Sequence, residues 1–317
     1  MARDEGIRAV SSAWVIVRAF FIIGVVSCQA DPGRSQTPTE PAEASPEAAL
    51  ICEGTWSRQW PNLCHDGKPV HGERVLVFSD GSSAETRAEV AGMADVAISR
   101  VMERTATSWA DFTFMPYYEE PLIHVFSDYD QQAVSGLAYA HGIVVRAPDS
   151  PRYGSAGWPR ERWNNVLRHE LAHVVEFLLI GTRHAGANSV WFREGFASWA
   201  AGISSILSAE QVRDWQTSME SVPGGGNPIG IYRWRDFPEG IREDPSQNIR
   251  YYPFFELAAR YLLDPEGNGT SVEDLKAMFD SVGAGVPLQT AFRDSFGLAI
   301  EEYEATFWER MEAYLGE

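Results

Sequence analysis

Apolar positions change their period twice along the chain. Residues 75–78 form an unbroken apolar run and read as a strand. Beyond them Val90, Met93, Ala97 and Val101 recur every three or four positions, which predicts an amphipathic helix over about 83–106. Ser82-Ser83-Ala84-Glu85 at its start matches a capping box. Residues 122–126 read as a second strand, and 137–145 as a further extended run punctuated by Gly136 and Gly142. From Pro159 onward the period is almost wholly helical. A helix over 160–180 closes at Gly181, another covers 194–202, and Ser208 caps a third. After a glycine and proline loop at 223–228, helices follow at about 253–263, opened by Pro253, and at about 272–280, 287–295 and 299–315. This order predicts an α+β fold: a small mixed β-sheet N-terminal lobe, a long helix at the junction, and a mostly helical C-terminal lobe.

The first 27 residues follow a different logic. Arg3 and Arg8 precede Ala13–Val17 and the apolar run Ala19–Val26, a stretch too short for a membrane span of roughly 20 residues and of the form of an export signal. Arg18 interrupts it. The run ends Val25-Val26-Ser27-Cys28, which resembles the lipobox of bacterial lipoproteins. That resemblance implies cleavage before Cys28 and a lipid on its sulfur, hence a membrane anchor in the bacterial cell envelope; an uncleaved anchor or plain secretion is the alternative. Gln29 after the cysteine leans, by analogy with lipoprotein sorting, towards the outer membrane. Residues 28–49 are rich in Pro, Glu, Ser and Ala and hold no aromatic side chain, so they read as a disordered tether. With Cys28 lipidated, Cys52 and Cys64 remain as a disulfide pair stapling an N-terminal segment over 50–74; a Cys/His metal site using His65 is the other option. Residues 75–317 then form the main domain.

Composition narrows the partners. The chain has 317 residues, 44 Asp+Glu against 26 Lys+Arg, and a net charge of −18, so it offers no basic surplus for a phosphate backbone and nucleic acid is excluded as a partner. A hydrophobic fraction of 44% with 22% charged residues is that of a globular protein with a substantial core.

The chemistry concentrates on the junction helix, which contains His169-Glu170-Leu171-Ala172-His173. Residues four apart project from one helix face, so the two imidazoles can grip a zinc ion at about 2.0–2.1 Å each. Glu170 stands about 100° further round, beside such a metal, where a general base takes a proton from an attacking water. A catalytic zinc needs a third protein ligand and an open position. The metzincin extension is absent, because position 176 is Glu and position 179 is Leu.

Downstream stands Trp191-Phe192-Arg193-Glu194-Gly195-Phe196-Ala197-Ser198-Trp199. Here the sequence resembles the gluzincins, the thermolysin-like and aminopeptidase N-like zinc peptidases, in which a Glu in a Trp-x-x-Glu-Gly-x-Ala context is the third zinc ligand. The resemblance implies a zincin-like fold, one zinc ion held by His169, His173 and Glu194, and Glu170 as the base. Ser198, one turn after Glu194, could hydrogen-bond a ligand, whereas thermolysin-like enzymes carry an acid at that offset. The segment from Tyr252 to Leu262 looks like the one that supplies a tyrosine to the reacting carbonyl, and the closing 291–308 region like the terminal helices of compact gluzincin-like domains. Tyr252 is then the oxyanion donor, with Tyr251 as its substitute, and core packing as the plain alternative for both.

These readings converge on a zinc metallopeptidase acting on peptide or protein substrates, with an extended substrate pairing along residues 137–145 by β-augmentation. Aminopeptidase N-like enzymes bind the free α-amine through a carboxylate on that strand. Residues 136–145 read GLAYAHGIVV and hold no carboxylate, which favours an endopeptidase, although Asp128 or Asp130 could anchor an amine. A silent zincin-fold lipoprotein that binds peptides or envelope partners, and a zinc amidase acting on a cell-wall amide, are the competing functions. Calcium at Asp128 and Asp130 lacks the spacing of a binding loop, His184 reads as a solvated loop residue, and His124 and His141 read as structural strand residues.

Overall fold

A computed structural model describes residues 70–80, 82–111, 123–128, 136–139, 142–148, 150, 160–180, 189–206, 208–220, 227–233, 236–237 and 250–316. The expected signal, the lipidated Cys28, the tether, the Cys52–Cys64 pair with His65, and Asp130, His141, Gly181 and His184 lie outside the described residues.

One mixed five-stranded sheet forms the N-terminal lobe: β1 (Val70–His71), β2 (Val75–Asp80), β3 (Ile123–Asp128), β4 (Gly136–Tyr139) and β5 (Gly142–Arg146). Their order in the sheet is β1-β2-β3-β5-β4. The two outer pairings are antiparallel, Val70 opposite Val77 and Gly136 opposite Val145, while β2–β3 and β3–β5 are parallel. The sheet therefore begins five residues before Val75. The single extended run expected at 137–145 is two antiparallel strands, of which β5 is interior and only β4 is an edge. Local hydrophobicity cannot separate them, because only the parallel pairing of β5 with β3 decides which strand keeps a free side.

Helix α1 (Ala84–Arg104) covers one face of the sheet through Val90, Ala94, Ile98 and Val101, all fully buried. Its cap is Ser83, whose side chain accepts from Thr86 N–H, one residue later than the Ser82–Glu85 box predicts. Asp95 on this helix accepts the backbone N–H groups of Glu73 (2.6 Å) and Arg74 (2.8 Å), pinning the β1–β2 turn. A Cβ at position 72 would stand 2.3 Å from the Asp95 carboxylate, so a larger residue there must displace it.

Helix α2 (Arg160–Ile180) matches its predicted span. Its first two residues are exposed, but every residue from His169 to Glu176 is buried, so the helix runs between the sheet and the helical lobe. Helix α3 (Val190–Ala200) starts four residues earlier than its apolar pattern suggests, because Ser189 caps it by accepting from Phe192 N–H. The first helical N–H groups, of Val190 and Trp191, donate to the carbonyls of Tyr232 (3.2 Å) and Ile231 (3.0 Å). Helices α4 (Ala209–Glu220), α5 (Tyr252–Leu263), α6 (Val272–Gly283), α7 (Leu288–Phe296), α8 (Ile300–Ala305) and α9 (Phe307–Gly316) complete the second lobe. The expected terminal helix over 299–315 is broken at Thr306 into α8 and α9. An aromatic core of Trp191, Phe192, Phe196, Phe279, Phe292 and Tyr303 packs in edge-to-face and tilted pairs behind α3.

The architecture is α+β. No helix among the described residues is long and apolar enough to cross a membrane.

Candidate metal centre

Helical spacing, one helix crossing and one strand edge build the site. His169 and His173, one turn apart on α2, place their rings edge to face at 4.9 Å between centroids. Because α3 starts at Val190, Glu194 lies in its second turn rather than at its mouth, facing α2. Its Oε2 stands 3.0 Å from His169 Nε2 and 3.3 Å from His173 Nε2. One ligand atom from each of the three residues lies within 4.8 Å of the others, and all three side chains are buried. This group can hold a metal ion.

The other nitrogen of each imidazole is also engaged. His169 Nδ1 is 3.2 Å from Ser198 Oγ, in keeping with the one-turn offset of Ser198 from Glu194. His173 Nδ1 is 3.1 Å from Oε2 of Glu176, whose Oε1 accepts from Arg193 Nε at 2.5 Å. Both Nε2 atoms therefore turn to the same point beside Glu194. Sequence reasoning misses this role of Glu176, which counts there only against the metzincin extension; its place one turn beyond His173 is the available signal.

Two neighbouring side chains each carry a buried oxygen without a hydrogen-bond partner among the described residues: Glu170 Oε1, which lies against Gly136, and Tyr252 Oη. The Tyr252 ring lies 6.2 Å from that of His169, and the phenol is close enough to Glu194 and Glu170 for their charges to act on it, though it forms no bond of ordinary geometry. Tyr251, the substitute, packs instead on Phe237 at 5.1 Å. Two orphaned oxygens beside a His-His-Glu donor set fit a site that takes a divalent cation and a polar ligand.

Electrostatics follow from burial and crowding. Burial drives the His169 imidazole below its usual range, against the pull of Glu194. Burial acts the same way on His173, but Glu194 and Glu176 on two sides outweigh it and push it up to about 10. Glu194 is held well below the carboxylate range: burial opposes this, and the two imidazoles, His173 first, override it. Glu170 is pushed up to about 8 by burial, with Glu194 adding to the effect and His173 opposing it. Burial, then Glu194 and Glu170, raise the Tyr252 phenol well above its ordinary value, so it stays a donor.

Strand β4 closes the site on the sheet side. At Gly136 a Cβ would stand 2.6 Å from Glu170 Cγ and 2.7 Å from its Oε1. His124 and Asp128 belong to β3, the central strand of the sheet. A scan against protein-family models finds no match, and a search of curated proteins finds no significant relative.

Proposed function

We propose that this chain is a zinc-dependent peptidase of the zincin-like, gluzincin type, anchored in the bacterial cell envelope through Cys28 and acting as an endopeptidase. The observation that carries the reading is the convergence of His169 Nε2, His173 Nε2 and Glu194 Oε2 on one buried point, with Glu170 and Tyr252, each bearing a buried unpartnered oxygen, close enough to feel the Glu194 charge. Two imidazoles and one carboxylate, with a second carboxylate alongside, are the donor chemistry of a hydrolytic zinc site. When bound, a zinc ion supplies a Lewis acid, an acidified water and a positive charge that draws the buried Glu170 carboxyl back towards its ionised form.

The chain's own residues do the rest. Glu170 takes a proton from the attacking water as the new C–O bond forms, and delivers it to the amine nitrogen as the C–N bond breaks. The Tyr252 O–H meets the charge that develops on the carbonyl oxygen. A peptide pairing with the free side of β4 passes directly before Glu170, because Gly136 lets that strand lie against the carboxylate. Residues 136–139 carry no acid to hold a free α-amine, which supports cleavage within a chain.

Zinc stoichiometry by elemental mass spectrometry, with hydrolysis of unfolded casein, tests this on the purified protein and on Glu170→Gln. One zinc in each, with chelator-sensitive cleavage only by the unmodified protein, is the expected result. One zinc without casein cleavage leaves a peptide-binding lipoprotein or a cell-wall amidase, which release of soluble amines from purified cell wall would distinguish. No zinc in folded protein overturns the reading.

A further inference from the structure

A neutral imidazole carries one N–H and one lone pair, so a histidine that gives Nε2 to a metal must keep its proton on Nδ1. The two histidines differ in what receives that proton. Beside His169 stands the Ser198 hydroxyl, which can either accept or donate and so imposes no tautomer. Beside His173 stands the Glu176 carboxylate, which when ionised can only accept.

Glu176 is fully buried, and a carboxylate there stays charged only with a close cation. Arg193 supplies it through the 2.5 Å contact, with its guanidinium over the Phe177 ring at 5.2 Å. Arg193 also directly precedes Glu194. The pair therefore joins α2 to α3 next to two of the three ligands, one through a hydrogen bond and the other through the backbone.

We infer that Glu176, with Arg193 as its counter-ion, is the positioning residue of the centre: it locks His173 in the tautomer that presents Nε2, and it controls metal affinity more strongly than Ser198 does. The inference rests on the metal reading above and assigns it a partner set that the motifs themselves do not contain.

The test is zinc affinity, measured on the full chain by competition with a chromophoric chelator, alongside the visible spectrum of the cobalt-substituted protein and the melting temperature without metal. Glu176→Gln should weaken zinc binding by about 10–100-fold and shift the cobalt bands, while Ser198→Ala should lose roughly threefold or less. Adding Ser198→Asp to Glu176→Gln places a carboxylate on the other histidine and should recover about tenfold. An unchanged zinc affinity in Glu176→Gln overturns the inference, even if its melting temperature falls, since that is the mark of a purely structural ion pair. An equal loss in Ser198→Ala overturns it too. If Glu176→Gln does not fold, Arg193→Gln takes its place, with at least roughly threefold weaker zinc binding expected and no change overturning. Failure of the unmodified chain to take up zinc is a separate outcome, which removes the metal reading and this inference with it.

Discussion

Gly136 and Glu170 touch: the backbone of the edge strand lies so close to the buried carboxylate that a Cβ at position 136 would come within 2.7 Å of Oε1 and 2.9 Å of Cδ. One contact thus joins the strand proposed to hold substrate to the side chain proposed to move the proton. Gly136→Ala must push the carboxylate aside or lift the strand. Because a displacement of about 1 Å costs roughly 100-fold in rate, casein hydrolysis should fall by about that factor while zinc content is kept. Activity within about threefold of the parent would mean that this contact does not position the proton carrier.

Tyr252 and Tyr251 separate the oxyanion role from core packing. Tyr252→Phe removes only the oxygen of a ring 6.2 Å from that of His169 and within electrostatic reach of Glu194 and Glu170, and should lower kcat by about 10²–10³-fold with little change in melting temperature. Tyr251→Phe removes an oxygen from a ring that packs on Phe237 and should leave kcat within about threefold. Equal effects on kcat would deny Tyr252 its role.

Zinc should stabilise the fold by mass action. At a free concentration of 100 times Kd the gain is about 2.7 kcal/mol, or about 5–10 °C in melting temperature for a domain of this size. Calorimetry with zinc, then with excess chelator, reads it directly, and His173→Ala should abolish the difference.

Two glycines on helices should respond in opposite directions. Gly195 lies where α3 crosses α5, and a Cβ there would be 2.1 Å from the Phe255 carbonyl oxygen, a backbone atom that cannot step aside. Gly195→Ala should destabilise by about 1–3 kcal/mol despite its better helix propensity, and should loosen Glu194 with it. Gly92, exposed in the middle of α1 with nothing within 4 Å of a new Cβ, should stabilise by about 0.5–1 kcal/mol when changed to Ala. Urea unfolding of both variants decides the matter.

Glu256 gives stability an unusual pH slope. Burial pushes its carboxyl from 4.5 up to about 7, against Arg260 at 3.4 Å, the Ser205 backbone and Arg104. Between these two values the folded chain holds a proton that the unfolded chain releases, so this group's contribution is complete below pH 4.5 and is lost as pH rises through 7. The loss is about 3 kcal/mol, and Glu256→Gln should remove this group's share of it. Unfolding free energies at pH 5, 6, 7 and 8, taken with chelator present, check the sign.

The sequence by itself determined what depends on neighbours within a few turns. Two histidines four apart on a helix must share a face, Pro159 and Gly181 bracket α2, and the resemblance carried by the Trp191–Trp199 segment marks Glu194 as the candidate third ligand. Tertiary structure alone decided what depends on long-range pairing. It made β4 rather than β5 the edge, because β5 pairs with β3, a strand that ends fourteen residues earlier at Asp128. It turned Tyr252 rather than Tyr251 to the site, through the crossing of α5 over Gly195. It also gave Glu176 its task, since a carboxylate one turn beyond His173 gains its buried charge only when Arg193 arrives from another helix. Spacing along one helix is enforced by covalent geometry and local hydrogen bonds, whereas the partners of a strand edge or a buried charge are chosen by the packing of distant segments, which no local pattern encodes.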